Sequence, residues 1–143
     1  MPDNIVMCKK LSTLLEYYKE LKQVTESLAL DEYKSSILIK RAVEREIQLI
    51  VESATDINNM ILRKINKGPS KDYFNSFLDL AENNIIEMDF ALKIAPSTGL
   101  RNILTHEYQK IDDEIVFNSI KNVLEYYLQY MEKIFSYLKC QTE

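Results

Sequence analysis

The chain has 143 residues, enough for one self-sufficient core, and its 46% hydrophobic and 28% charged content is that of a globular domain. Two glycines and three prolines are too few turn formers for a sheet-rich fold. A formal charge of −4 excludes binding of nucleic acid through a broad basic surface, though not through a local cationic patch.

The first predicted helix runs from about residue 4 to 28. Cys8, Leu11, Leu15, Tyr18, Leu21, Val24 and Leu28 recur at helical spacing along it, and Asp3 or Asn4 is placed to cap it. A second helix is predicted over about 31–66. Its buried stripe is Tyr33, Ile37, Val43, Ile47, Val51, Ala54, Ile57, Ile61 and Ile65. At about 50 Å it is long enough that a bend or break is expected. Lys67-Gly68-Pro69-Ser70 ends it, with Gly68 as a left-handed cap and Ser70 as the N-cap of the next helix. That third helix carries Tyr73, Phe77, Leu80 and Ala81. It breaks near Asn83-Asn84 and resumes with Ile85, Met88, Leu92 and Ala95. After Pro96 a short helix spans about 98–105. The last begins at Asp112 or Asp113 and runs to about Lys139 through Ile120, Val123, Leu124, Tyr127, Met131, Ile134 and Leu138. Four long helices and a minor one predict an all-α, antiparallel four- to five-helix bundle forming a single domain over 1–143.

Cys8 and Cys140 stand near opposite ends, without the Cys or His spacing of a zinc site; reduced thiols are expected. The start lacks a basic segment followed by an apolar run, and no stretch approaches the ~20 apolar residues of a membrane span. A soluble cytoplasmic protein, with no membrane association, is the expectation.

The chain's one histidine, His106, lies in Gly99-Leu100-Arg101-Asn102-Ile103-Leu104-Thr105-His106-Glu107-Tyr108. An imidazole can take a proton from a ribose 2′-hydroxyl. A guanidinium can fork onto phosphate oxygens and stabilise growing charge. Such internal transesterification of RNA needs no metal and no cofactor. On an ideal helix Arg101 and Tyr108 fall about 20° apart, while Arg101 and His106 diverge by about 140°. For the pair to act jointly, either the helix ends near Thr105 and turns His106 inward, or facing subunits complete one cleft; we expect both. The bland readings are a histidine at a helix end, and an Arg101 paired with Glu107 or with an acid of a neighbouring helix. Glu44, Glu52 and Asp56 share one face of the second helix, either as anchors for Arg101 or as ordinary surface charges. Arg63, Lys64, Lys67 and Lys71 around the Gly68-Pro69 turn are either a solvated turn or a guide for RNA.

Arg101-Asn102, three residues, then His106-Glu107-Tyr108 resembles the Arg-x4-His-x-Tyr signature of the HepT family within the HEPN superfamily. Residues 41–57, with Glu52-x-x-x-Asp56-Ile57, are similar to the family's second helix, and Gly68-Pro69 with Tyr73 and Leu80 to its following turn and helix. The resemblance covers roughly 30–130. One departure is Pro96-Ser97-Thr98, where the family has a small apolar stretch. The resemblance implies a HEPN bundle that forms a homodimer, and the toxin component of a type II HEPN/MNT toxin–antitoxin system. Its implied activity is metal-independent endoribonucleolytic attack on tRNA or mRNA. Arg101 and His106 would be the catalytic pair, with Asn102 and Tyr108 positioning substrate. The implied partner is an MNT-type nucleotidyltransferase antitoxin that AMPylates Tyr108. The alternative is a non-catalytic HEPN module that partners a nucleotidyltransferase.

Overall fold

The computed structural model describes residues 2–141, excepting the side chains of residues 2, 3 and 108. The expected cap at Asp3 therefore lies outside the described residues. The elements in chain order are α1 (Pro2–Thr25), α2 (Leu30–Ser35), α3 (Ile37–Lys64), α4 (Tyr73–Glu82), α5 (Met88–Ile94), α6 (Ser97–His106), a 3₁₀ turn (Tyr108–Lys110) and α7 (Asp113–Leu138). No strand occurs among the described residues.

The expected second helix is cut at Ser36. Its backbone is extended there, and its hydroxyl accepts from the Ile39 N–H at 3.2 Å, so that it caps α3. The cut changes the helical phase, and Ile37 faces solvent instead of the core. Asp72, not Ser70, caps α4, accepting from the Asn75 N–H at 2.7 Å. Ser70 donates its hydroxyl to Asp79 instead, at 2.7 Å. The left-handed residue ending α3 is Asn66, at φ 62°, not Gly68. Gly68 is needed for space: a Cβ there would lie 2.6 Å from Leu62 Cβ. Asn84, also left-handed at φ 63°, separates α4 from α5 and resets the register. Ile86, Phe90, Ala91 and Ile94 are therefore buried, while Met88 and Leu92 are exposed. On α1 the buried stripe is Met7, Leu11, Leu14, Tyr18 and Leu21, and Leu15 faces outward.

α1 lies antiparallel to both α3 and α7. Asn4, inside α1 and not its cap, donates from Nδ2 to the Leu138 carbonyl at 3.1 Å, satisfying an orphan acceptor at the end of α7. The same antiparallel pairing brings the start of α1 beside the end of α7. Cys8 and Cys140 meet there as a disulfide with a Cα–Cα separation of 5.7 Å, contrary to the expectation of separate reduced thiols. α3 and α7 are tied at their starts by a Lys40–Asp113 ion pair of 3.2 Å.

Midway along them a buried polar chain crosses the core. Tyr130 Oη lies 3.0 Å from the Ala54 carbonyl oxygen and donates at 2.6 Å to Asn58 Oδ1. Asn58 Nδ2 donates to Ser76 Oγ at 3.0 Å, and Ser76 donates to the Tyr73 carbonyl at 2.7 Å. The chain thereby fixes the first turn of α4 against α3.

Glu46 of α3 faces Glu20 of α1. Its Oε1 is buried without a hydrogen-bond donor among the described residues. Burial first, then the Glu20 carboxyl, push its pKa up to about 7. The folded state thus keeps this proton after the unfolded chain has lost it. The resulting stabilisation is complete below the unfolded pKa and is lost as pH rises through about 7. Glu46→Gln should therefore raise the melting temperature more near about pH 8 than near about pH 5. Equal gains at both values would show that Glu46 ionises as an ordinary surface acid.

Candidate active site

The motif occupies α6. Its first turn is seated by two hydroxyls. Ser97 donates to the Ile94 carbonyl and meets the Tyr127 hydroxyl, both at 2.7 Å, and the buried Thr98 donates to the Ala95 carbonyl at 2.8 Å. Thr98, Arg101, Leu104 and Thr105 form the inward stripe of the helix. Leu104 is fully buried, and the Thr105 hydroxyl is enclosed without a partner among the described residues.

Arg101 is the anchor of that stripe. Its Nε and Nη2 both donate to Glu52 Oε2, at 3.0 and 2.8 Å. Tyr73 lays its ring under the guanidinium, 4.6 Å from centroid to Cζ. Nη1 donates to Asn102 Oδ1 at 3.2 Å. With 13% of the Arg101 side chain and 29% of the Glu52 side chain exposed, this is a largely desolvated pair. The other two acids of the α3 face have separate partners: Glu44 pairs with Arg41 at 3.0 Å, and Asp56 faces Lys10 at 4.0 Å.

A second contact holds the far end of the helix. Gln48 Nε2 donates to the Leu104 carbonyl at 2.9 Å, one of the acceptors that a helix C-terminus leaves unpaired. Glu52 and Gln48 together lay α6 antiparallel along α3.

His106 is the last residue of α6 and is exposed; Glu107 leaves the helix at φ −133° and ψ 53°. The expected inward turn of His106 does not occur. The helix runs through the histidine and keeps the phase of roughly 140° that separates it from Arg101. Asn102 shares the outward face with His106 and is likewise exposed. Tyr108 begins the 3₁₀ turn, so its helical phase relation to Arg101 does not carry over; its side chain lies outside the described residues. Glu107 pairs with Lys110 at 3.0 Å, not with Arg101. Of the basic residues near the Gly68-Pro69 turn, Arg63 and Lys64 lie in the last turn of α3, about 22–24 Å along its axis from Gln48, and Lys67 and Lys71 follow beyond it.

Gln48 and Tyr73 escaped the reading of the sequence. Tyr73 looks like an ordinary apolar position. Gln48 stands four residues before Glu52, on the same side of α3, and that spacing is the one signal that could have found it.

The family described as "Ribonuclease HepT-like" matches residues 14–134. The chain belongs to the HepT-like ribonuclease family. A tRNA nuclease HepT of Aphanizomenon flos-aquae is 40% identical over 134 residues, 94% of this chain and 90% of that protein. An mRNA nuclease HepT of Shewanella oneidensis is 28% identical, over 92% of this chain and 97% of that protein. Among solved structures, the tri-AMPylated HEPN toxin of Shewanella oneidensis in complex with MNT antitoxin is similar with a TM-score of 0.83 and 27% identity. It covers 92% of this chain and 97% of that one.

In this HepT-like chain, Glu52→Gln removes the charge that compensates Arg101 while preserving shape. Partial exposure of both groups keeps the expected loss of stability to about 1–3 kcal/mol, read from urea unfolding. Ribonuclease turnover should fall about tenfold or more if Glu52 sets the guanidinium's position. A loss of stability with full turnover would make the pair structural alone.

Proposed function

We propose that this chain is the toxin of a type II HEPN/MNT toxin–antitoxin pair, an endoribonuclease that cuts tRNA or mRNA in the cytoplasm without metal. The single observation that carries the reading is the division of α6. One face seats Arg101 on Glu52 and Tyr73, and the other presents His106 and Asn102 to solvent. No helix among the described residues is long and apolar enough to cross a membrane, which agrees with a cytoplasmic site of action.

In the proposed reaction the His106 imidazole takes the proton of a ribose 2′-hydroxyl. The 2′-oxygen attacks the adjacent phosphorus and the bond to the 5′-oxygen breaks. A cyclic phosphate remains on one fragment, and the departing 5′-oxygen takes up a proton from solvent. Arg101 stabilises the charge that grows on the phosphorane oxygens, and Asn102 orients the guanidinium and the substrate.

One chain holds the two catalytic groups on opposed faces of α6, so the proposed site is completed by a second copy. Gly99 supports this. It lies on the outward face, one turn before Asn102, and a Cβ there would meet nothing within 4 Å in its own chain. Gly99 is the third residue of α6, and without a side chain its turn leaves room for a neighbouring backbone. Its place is better explained by a neighbour's close approach than by anything in its own chain.

The proposed antitoxin is an MNT-type nucleotidyltransferase that transfers AMP from ATP to the Tyr108 hydroxyl, with pyrophosphate leaving as the phenol oxygen bonds the α-phosphorus. Each AMP adds a phosphodiester charge and bulk beside the cationic site, where both oppose the approach of RNA phosphate.

RNA cleavage in EDTA should be seen with the parent protein and fall about 100-fold or more in His106→Ala and Arg101→Ala. Equal cleavage by all three would place the chemistry elsewhere; no cleavage by the folded, unmodified parent would favour a binding module. Incubation with an MNT antitoxin and labelled ATP should label the parent and leave Tyr108→Phe unlabelled, and label on the phenylalanine variant would move the modification to another residue.

A further inference from the structure

At the site described above the arginine is already committed. The Arg101 guanidinium is compensated by Glu52, and the chain as a whole carries −4. RNA brings one negative charge per phosphate. Holding it at the end of α6 calls for a cation whose charge has not been spent within the protein.

α3 supplies one. The register of α3 against α6 is set by two contacts, Glu52 to Arg101 and Gln48 to the Leu104 carbonyl. Followed three residues further toward the start of α3, that register brings Arg45 level with the end of α6, where His106 stands. Arg45 and Glu52 are seven residues apart, about 20° on an ideal helix, so they belong to one stripe facing α6. Arg45 is exposed and makes no ion pair among the described residues. Its Nη1 donates at 3.2 Å to Gln48 Oε1, of the same amide whose Nε2 donates to Leu104. Gln48 thereby ties a free guanidinium to the end of the motif helix, and only one of its five N–H donors is engaged among the described residues.

We propose that Arg45 is a phosphate-binding residue of the RNA site, gripping the backbone beside the ribose on which His106 acts, with Gln48 as its positioning residue. The proposal rests on the ribonuclease reading. A cation near a helix C-terminus also stabilises that helix through its dipole, an effect that lysine supplies as well as arginine. Arginine alone offers the planar fork that matches a phosphate.

The test measures binding of a labelled single-stranded RNA of mixed sequence across a salt series. His106→Ala protein, which holds substrate without cutting it, is compared with the same protein carrying Arg45→Ala, Arg45→Lys or, as an ordinary surface cation of α5, Lys93→Ala. Loss of one phosphate contact should lower the slope of log affinity against log salt by about 0.7 in Arg45→Ala and leave it unchanged in Lys93→Ala. With His106 intact, Arg45→Ala should raise KM about tenfold with a smaller change in kcat. Arg45→Lys should restore the slope and only part of the KM, and Gln48→Leu should raise KM in the same direction. The proposal is overturned if the parent binds and cuts RNA while Arg45→Ala keeps its slope and KM, or if Lys93→Ala lowers the slope equally. A parent that neither binds nor cuts RNA would overturn the ribonuclease reading, and this proposal with it.

Discussion

The site depends on one ion pair. A guanidinium taken largely out of water is costly unless its charge is met, and at Arg101 it is met by a single carboxylate oxygen that receives two of its N–H groups. That contact fixes more than a side chain. With Arg101 turned toward α3, helical periodicity leaves Asn102 and His106 no direction but outward. The exposure of the imidazole thus follows from the burial of the arginine five residues earlier.

The pair in turn relies on the core beneath it. Tyr73, whose ring supports the guanidinium, begins α4, and its carbonyl accepts the hydroxyl of Ser76. Ser76 is held by Asn58, and Asn58 by Tyr130 of α7. Ser76, Asn58 and Tyr130 are buried, so losing one of them leaves another unsatisfied at about 1–3 kcal/mol. A defect in the middle of α7 is therefore expected to reach the site through named hydrogen bonds. The polar chain passes through the buried core, where side chains have few alternative positions.

Legibility in the sequence followed the strength of the local signal. α3 and α7 were readable because their apolar stripes are long and end at turn formers or a cap. Even there the buried face of α7 is wider than one stripe: Tyr130, fully buried, stands between Tyr127 and Met131. On α1 the stripe was read one position off, at Leu15 instead of Leu14, since apolar residues occupy both. The breaks at Ser36 and Asn84 reset the helical phase, so periodicity carried across them put Ile37, Met88 and Leu92 on the wrong side. The Cys8–Cys140 bond joins residues 132 apart and depends on the direction of two helices, which no spacing encodes. At the site, the angle between Arg101 and His106 was available from arithmetic. The inward turn expected to rescue their cooperation was not needed by the fold. Glu52 was visible only as one of three acids, because choosing among them requires knowing which turn of α3 meets α6.

The division of α6 bears on how an acidic chain handles RNA. Were Arg101 free at the surface it would attract phosphate indiscriminately, but seated on Glu52 it contributes little long-range field. Its hydrogen-bonding reach near the site is short and directional. Attraction must then come from cations that the fold leaves uncompensated, and their position decides which part of the RNA arrives first. Arg45, placed by α3 at the level of His106, would bring the backbone in at the end of α6, next to the 3₁₀ turn that begins with Tyr108. A phosphodiester added to that tyrosine would compete for the same cation as the substrate. On the proposed reading, a modest change in charge at the end of one helix is therefore enough to separate an active nuclease from a silent one.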